Sequence, residues 1–108
     1  MALEVDLDAF TAAHADGALV IDVREPFEYV GGHVPGARLI LLASLPHHAA
    51  GLPGGQPVYI ICASGNRSWT AARFLAQHGV DARSVAGGTQ EWQARGLPVV
   101  RGGRQNVA

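Results

Sequence analysis

The sequence contains no lysine. All eight of its positive side chains are arginine, and nine carboxylates leave a formal net charge of −1. A chain so balanced carries no electrostatic footprint for nucleic acid or for an anionic lipid surface. Charged residues make up only 16% of the 108 positions, against roughly 25% in an ordinary domain. Cysteine is nearly absent as well. The single Cys62 cannot close an internal disulfide or build a thiolate metal cage. Long hydrophobic runs are also missing. Stretches such as Leu39 to Ala43 are far too short to cross a bilayer. The N-terminus, Met-Ala-Leu-Glu-Val-Asp, lacks the basic and apolar regions of a targeting segment. These absences point away from a disulfide scaffold, a zinc finger, a nucleic-acid binder and a membrane protein. The expected location is the cytoplasm, where a lone thiol stays reduced.

What is present is an ordinary apolar fraction, 48%, in a chain long enough for one core. Glycine and proline punctuate it, and no repeat or linker divides it. Leu7, Phe10, Ala13 and His14 fall at helical spacing, with Asp6 as N-cap and Gly17 as stop. The apolar run Ala18 to Asp22 reads as a strand. Pro26 opens a short helix over Phe27–Val30, closed by Gly31-Gly32. A second apolar run covers Arg38–Leu42, and His47–Ala50 has room for one helical turn. Val58 to Cys62 is continuous and β-branched, which fits a strand buried on both faces of a parallel sheet. Ala71, Phe74, Leu75 and His78 mark a helix stopped by Gly79. Asp81–Val85 is a weak fourth strand, and Thr89–Arg95 a short helix. Residues 101–108 show no periodicity and read as a flexible tail after one domain over residues 1–100. Its two Arg and two Gly form a single short copy, too little to argue for RNA binding. Strands alternating with helices indicate an α/β fold with a largely parallel sheet. In such sheets ligands bind beyond the carboxyl ends of the strands.

Cys62 stands at such an end. The loop Ala63-Ser64-Gly65-Asn66-Arg67 follows it and opens a helix. Gly65 permits backbone angles that let loop amides converge on an anion. The helix N-terminus and the charge of Arg67 act in the same direction. All three favour the thiolate, the form that attacks. The competing reading is a small apolar residue ending a strand; Gly65 and Arg67 favour the reactive one.

Cys62-Ala63-Ser64-Gly65-Asn66-Arg67-Ser68 resembles the C-x-x-G-x-R-S loop of single-domain rhodanese-like sulfurtransferases. Val20 to Tyr29 looks like the family's strand–turn–helix segment, and Gly32-His33-Val34-Pro35-Gly36-Ala37 like its G-H-I-P-G-A motif. Gly87-Gly88-Thr89-Gln90-Glu91-Trp92 and Gly96-Leu97-Pro98-Val99 resemble its ending. The matches lie in order over about residues 4–100. The resemblance implies a five-stranded, largely parallel sheet with helices on both faces. It also implies that Cys62 carries sulfur as a persulfide, with no metal and no organic cofactor. Ala63, Ser64, Gly65, Asn66 and Arg67 then form the substrate-binding loop. The partners are a small-molecule or protein-borne sulfur donor and a thiol or cyanide acceptor.

Within that frame, Arg67 can hold an anionic donor or fix the loop through a carboxylate. Positions 63 and 64 are uncharged, which weakens the case for dianionic thiosulfate and leaves a persulfide donor open. A phosphatase loop of the Cys-Arg type holds one residue more than the four between Cys62 and Arg67, and Ser68 cannot chelate phosphate as a guanidinium does. A non-turnover binding or redox-sensing module is the alternative within the same fold. Asp22 and Arg24 are expected to tie the strand end, His33 to hold a turn, and His47-His48 to be solvated. Trp92 is expected in the core; Trp69 either rims the site or packs on the surface.

Overall fold

The computed structural model describes residues 3–106. Five parallel strands form one sheet: β1 (Leu3–Val5), β2 (Leu19–Asp22), β3 (Arg38–Leu39), β4 (Pro57–Ile61) and β5 (Asp81–Val85). Their spatial order is β1-β5-β4-β2-β3. Four α-helices connect them, α1 (Leu7–Ala15), α2 (Pro26–Val30), α3 (Leu45–His48) and α4 (Asn66–Ala76), and α5 (Gly88–Ala94) follows the last strand.

The central strand shows why its apolar run is unbroken. Val58 and Ile60 of β4 point to the face covered by Leu45 of α3 and by Ala71, Ala72 and Leu75 of α4. Tyr59 and Ile61 point to the other face, against Leu7 and Phe10 of α1, Tyr29 of α2 and Trp92 of α5. Burying each of these aliphatic side chains contributes roughly 1.5–3 kcal/mol. Alternating side chains therefore serve two cores, so no position can be polar. Trp92 lies in the second core, 5.7 Å from Phe10 in an edge contact. As expected, Asp6 caps α1, its carboxylate accepting from the Ala9 amide at 2.8 Å.

The residues by themselves mark four strands, and the fifth is β1. Three residues with no turn signal before them carry too little pattern to stand out. The run Arg38–Leu42 pairs over two residues only, after which Leu42–Ser44 coils into a 3₁₀ turn. Its apolar residues leave the sheet to cover it: Ile40 joins the α4-side core and Leu42 packs against it.

Both cores reach the carboxyl ends of β2, β4 and β5, with Val23, Cys62 and Val85 among their residues. There the chain enters three loops, and the buried charge pair of Asp22 and Arg24 closes the first. Arg24 Nη2 lies 2.9 Å from Asp22 Oδ2 and 2.9 Å from the Gly32 carbonyl. His33, fully buried, brings Nδ1 to 2.8 Å from the Tyr29 carbonyl and Nε2 to 2.6 Å from that of Arg104. It holds the turn between α2 and β3, as expected. The segment after residue 100 lies along this turn. The Gly36 amide donates to Gln105 and the Gly102 amide to Val30, each at 2.8 Å. His47 and His48 are exposed.

Candidate active site

β4 delivers Cys62 to the end of the sheet with 1% of its surface exposed. The chain then turns through Gly65, whose φ of 109° lies in the left-handed region that other residues avoid. That turn aims the Gly65 amide back at the sulfur, N–H to Sγ at 3.1 Å. The Cys62 thiol lies 3.4 Å from Ser68 Oγ, one turn into α4. Burial pushes the thiol pKa up. The Ser68 hydroxyl and the amides of Ser68, Gly65 and Ser64 pull it down further, so the net direction is below an ordinary thiol. The thiolate is thus stabilised chiefly by fixed hydrogen-bond donors, with a smaller electrostatic contribution from Arg67.

The loop needs a support from behind, and β5 and α5 provide it. The carbonyl of Cys62 accepts from the Thr89 amide at 2.9 Å and from its hydroxyl at 3.0 Å. The carbonyl of Ala63 accepts from the Gln90 amide at 3.0 Å. Such close approach requires the Gly88 position to lack a side chain. A Cβ there would stand 2.5 Å from the Cys62 oxygen and 2.7 Å from that of Ala63.

Arg67 is held by a carboxylate. Its Nη1 and Nη2 grip the two oxygens of Glu28 at 2.8 and 2.9 Å. Glu28 is itself aimed by the start of α2, where its Oε1 accepts the Glu25 amide at 3.0 Å. The Arg67 guanidinium, first through these hydrogen bonds, holds the Glu28 pKa down to about 2. Of the two roles open to Arg67, the geometry realises the tie between loop and helix. Its positive charge is met by a carboxylate.

The expected substrate loop therefore divides. Gly65 is buried with its amide on the sulfur, and the Ala63 carbonyl is engaged by α5. Ser64 and Asn66 are exposed at the mouth. They line a groove of about 310 Å³ together with Glu4, Trp69 and Gly87. Trp69 is 39% exposed and rims this groove. Three contributors escaped the sequence reading of the site. Ser68 follows Arg67 directly in the loop motif. Glu28 lies in the segment after β2. Ser84, a lone polar residue on the inner face of β5, meets Ser68 with hydroxyl oxygens 2.8 Å apart.

A rhodanese-like domain model matches residues 6–95. The chain belongs to the rhodanese-like domain family. It is 32% identical over 103 residues to a sulfurtransferase of Allochromatium vinosum, covering 93% of this chain and 96% of that protein. A thiosulfate sulfurtransferase GlpE of Pseudoalteromonas translucida is 32% identical over 80 residues, 73% of this chain and 76% of its own length. Among solved structures, a rhodanese-related protein of Thermoplasma volcanium superposes with a TM-score of 0.84 at 34% identity. It covers 91% of this chain and 97% of the other. The rhodanese-like fold places its loop where the α/β rule puts a ligand, beyond the strand ends. No helix among the described residues is long and apolar enough to cross a membrane.

Proposed function

We propose that this rhodanese-like protein is a sulfurtransferase that carries a sulfane sulfur on Cys62. The observation that carries the reading is the thiol itself: buried, lowered in pKa, and met by a backbone amide and a hydroxyl. In the first stage the Cys62 thiolate attacks the outer sulfur of a donor. A new S–S bond forms as the donor's own bond breaks, and the leaving group departs with the electron pair. In the second stage a thiolate or cyanide attacks the outer sulfur of the Cys62 persulfide, and Cys62 leaves as thiolate. Both stages place negative charge on sulfur within the loop. The amides of Ser64, Gly65 and Ser68 act there as fixed donors, as an oxyanion hole does for oxygen. The steps exchange sulfur bonds alone, and the loop's residues supply the stabilisation.

The donor follows from charge. Arg67 is the one cation in the loop, and Glu28 neutralises it. A dianion such as thiosulfate then finds no free counter-charge at the mouth. A persulfide of a thiol, small or protein-borne, is the better fit. The name of the Pseudoalteromonas relative keeps thiosulfate as the comparison donor.

Intact mass tests the proposal. Incubation with a sulfane donor should add one sulfur atom to Cys62, which cyanide or a reducing thiol then removes. Cys62→Ser should gain nothing. An unchanged mass with thiosulfate, a glutathione persulfide and polysulfide alike would overturn the carrier role.

A further inference from the structure

Ser84 lies on β5, fully buried, on the α4-side face of the sheet among the apolar side chains of Ile21, Ile60 and Ala82. A hydroxyl removed from water needs a partner, and hydroxyls in such places are costly unless they have one. Among the described residues its only side-chain partner is Ser68. Ser68 is fully buried too, and its oxygen stands among three groups. Cys62 Sγ is 3.4 Å away, the Gly65 carbonyl 3.1 Å, and Ser84 Oγ 2.8 Å. Ser68 has one proton to give and two lone pairs to offer. It cannot donate to all three neighbours at once.

We propose that Ser84 is a positioning residue: it fixes the direction of the Ser68 hydroxyl so that this hydroxyl follows the charge on Cys62. With Cys62 protonated, the S–H donates to Ser68 Oγ, and Ser68 donates to the Gly65 carbonyl. With Cys62 ionised, the Ser68 O–H turns to the sulfur. Ser84 then donates to Ser68, filling the lone pair and polarising its O–H toward the anion. The Gly65 carbonyl keeps the Trp69 amide, 3.2 Å away, so the rotation leaves no buried acceptor bare. No proton leaves either hydroxyl; the Ser68 O–H only rotates between the Gly65 carbonyl and the sulfur. The pair thus answers both charge states of the sulfur, which a fixed amide cannot do.

This inference rests on Cys62 as the reacting sulfur, but its test needs no sulfur transfer. The ultraviolet absorbance of the thiolate, followed against pH, reads the Cys62 ionisation directly. A protein with a normal titration and no persulfide would defeat the carrier role alone. Ser68→Ala should raise the midpoint by about one unit, and Ser84→Ala by about half a unit. In Ser68→Ala/Ser84→Ala the midpoint should equal that of Ser68→Ala alone, because Ser84 acts only through Ser68. An unmoved midpoint in Ser84→Ala overturns the proposal. So does a Ser84→Ala shift that survives in full without Ser68, since a merely structural loss would behave so. The wild-type protein gives a second reading that no folding defect can obscure. The Ser84 Cβ resonance should titrate with the Cys62 midpoint, and a flat resonance across that range also overturns the relay.

Discussion

The inner and outer walls of the Cys62 loop are built on different principles. The inner wall is dry. Gly65, Ser68 and Ser84 are buried, the Gly65 amide is pinned on the sulfur, and α5 holds the carbonyls of Cys62 and Ala63 from behind. The outer wall is wet. Ser64, Asn66 and Trp69 are exposed, and the Arg67–Glu28 pair stands at the surface with side chains 36% and 20% accessible. Short hydrogen bonds in a dry site are strong and their loss is costly. An ion pair in reach of water contributes little to stability. The chemistry should therefore depend on the inner wall, and the choice of donor on the outer one.

The hardest blow to the inner wall is Gly88→Ala. The new Cβ would overlap the oxygens of Cys62 and Ala63, and φ at this position is +56°. Overpacking together with a left-handed alanine costs about 3 kcal/mol. The loop must move by a fraction of an ångström to admit it, and a misplaced nucleophile loses up to about a hundredfold in rate. Single-turnover sulfur loading of Cys62 should fall by that order while circular dichroism keeps the helical signal. Loading within twofold of wild type would show that α5 does not set the loop.

This division was only partly legible in the sequence. Local pattern revealed what depends on neighbours along the chain. The unbroken run Val58–Cys62 marked the central strand, and Gly65 after Cys62 marked the turned loop. The order of motifs disclosed the family. Contacts across the fold left no such trace. Glu28 lies 39 positions from Arg67, and nothing at either position names the other. Ser84 lies in a strand whose Asp-Ala-Arg-Ser-Val pattern reads as half-exposed, although its face packs against α4. Its meaning depends on Ser68 sixteen positions earlier. The lone-charge argument at Arg67 also changed sense for this reason. A cation next to a thiol in sequence turned out to be a cation held by a carboxylate in space.

Breaking the outer wall should do less, and do it differently. Arg67→Ala removes the tie between α4 and α2 but leaves the amides on the sulfur. Stability should drop by no more than about 1 kcal/mol, the usual range for a pair this exposed. Transfer from a protein-borne or thiol persulfide should slow by roughly threefold to tenfold, through loop positioning. The thiolate midpoint should move less than in Ser68→Ala, since hydrogen bonds lower it more than the Arg67 charge does. A thermal unfolding curve and a pH-dependent absorbance titration check both. A midpoint raised as far as in Ser68→Ala would mean that the outer charge, and not the inner wall, favours the thiolate.

Glu28→Gln is the mildest change and separates the two walls most cleanly. It keeps the shape of the side chain and the acceptor for the Glu25 amide, but removes the charge that meets Arg67. The folded pKa of Glu28, about 2, lies below its ordinary 4.5. A carboxylate lowered on folding adds stability above its unfolded pKa, and that stability is lost as pH falls through the folded value. Wild type should therefore exceed Glu28→Gln in thermal midpoint at neutral pH by a small margin. That margin should shrink between pH 4.5 and about 2 and then vanish. A constant margin over this window would mean that the pair contributes through shape alone. At neutral pH the same substitution frees the guanidinium for an anion. Loading from thiosulfate should then rise severalfold relative to loading from a thiol persulfide, because only the dianion gains a counter-charge. An unchanged ratio would show that Glu28 does not govern the choice of donor, and the outer wall would be reduced to a hinge between α2 and the loop.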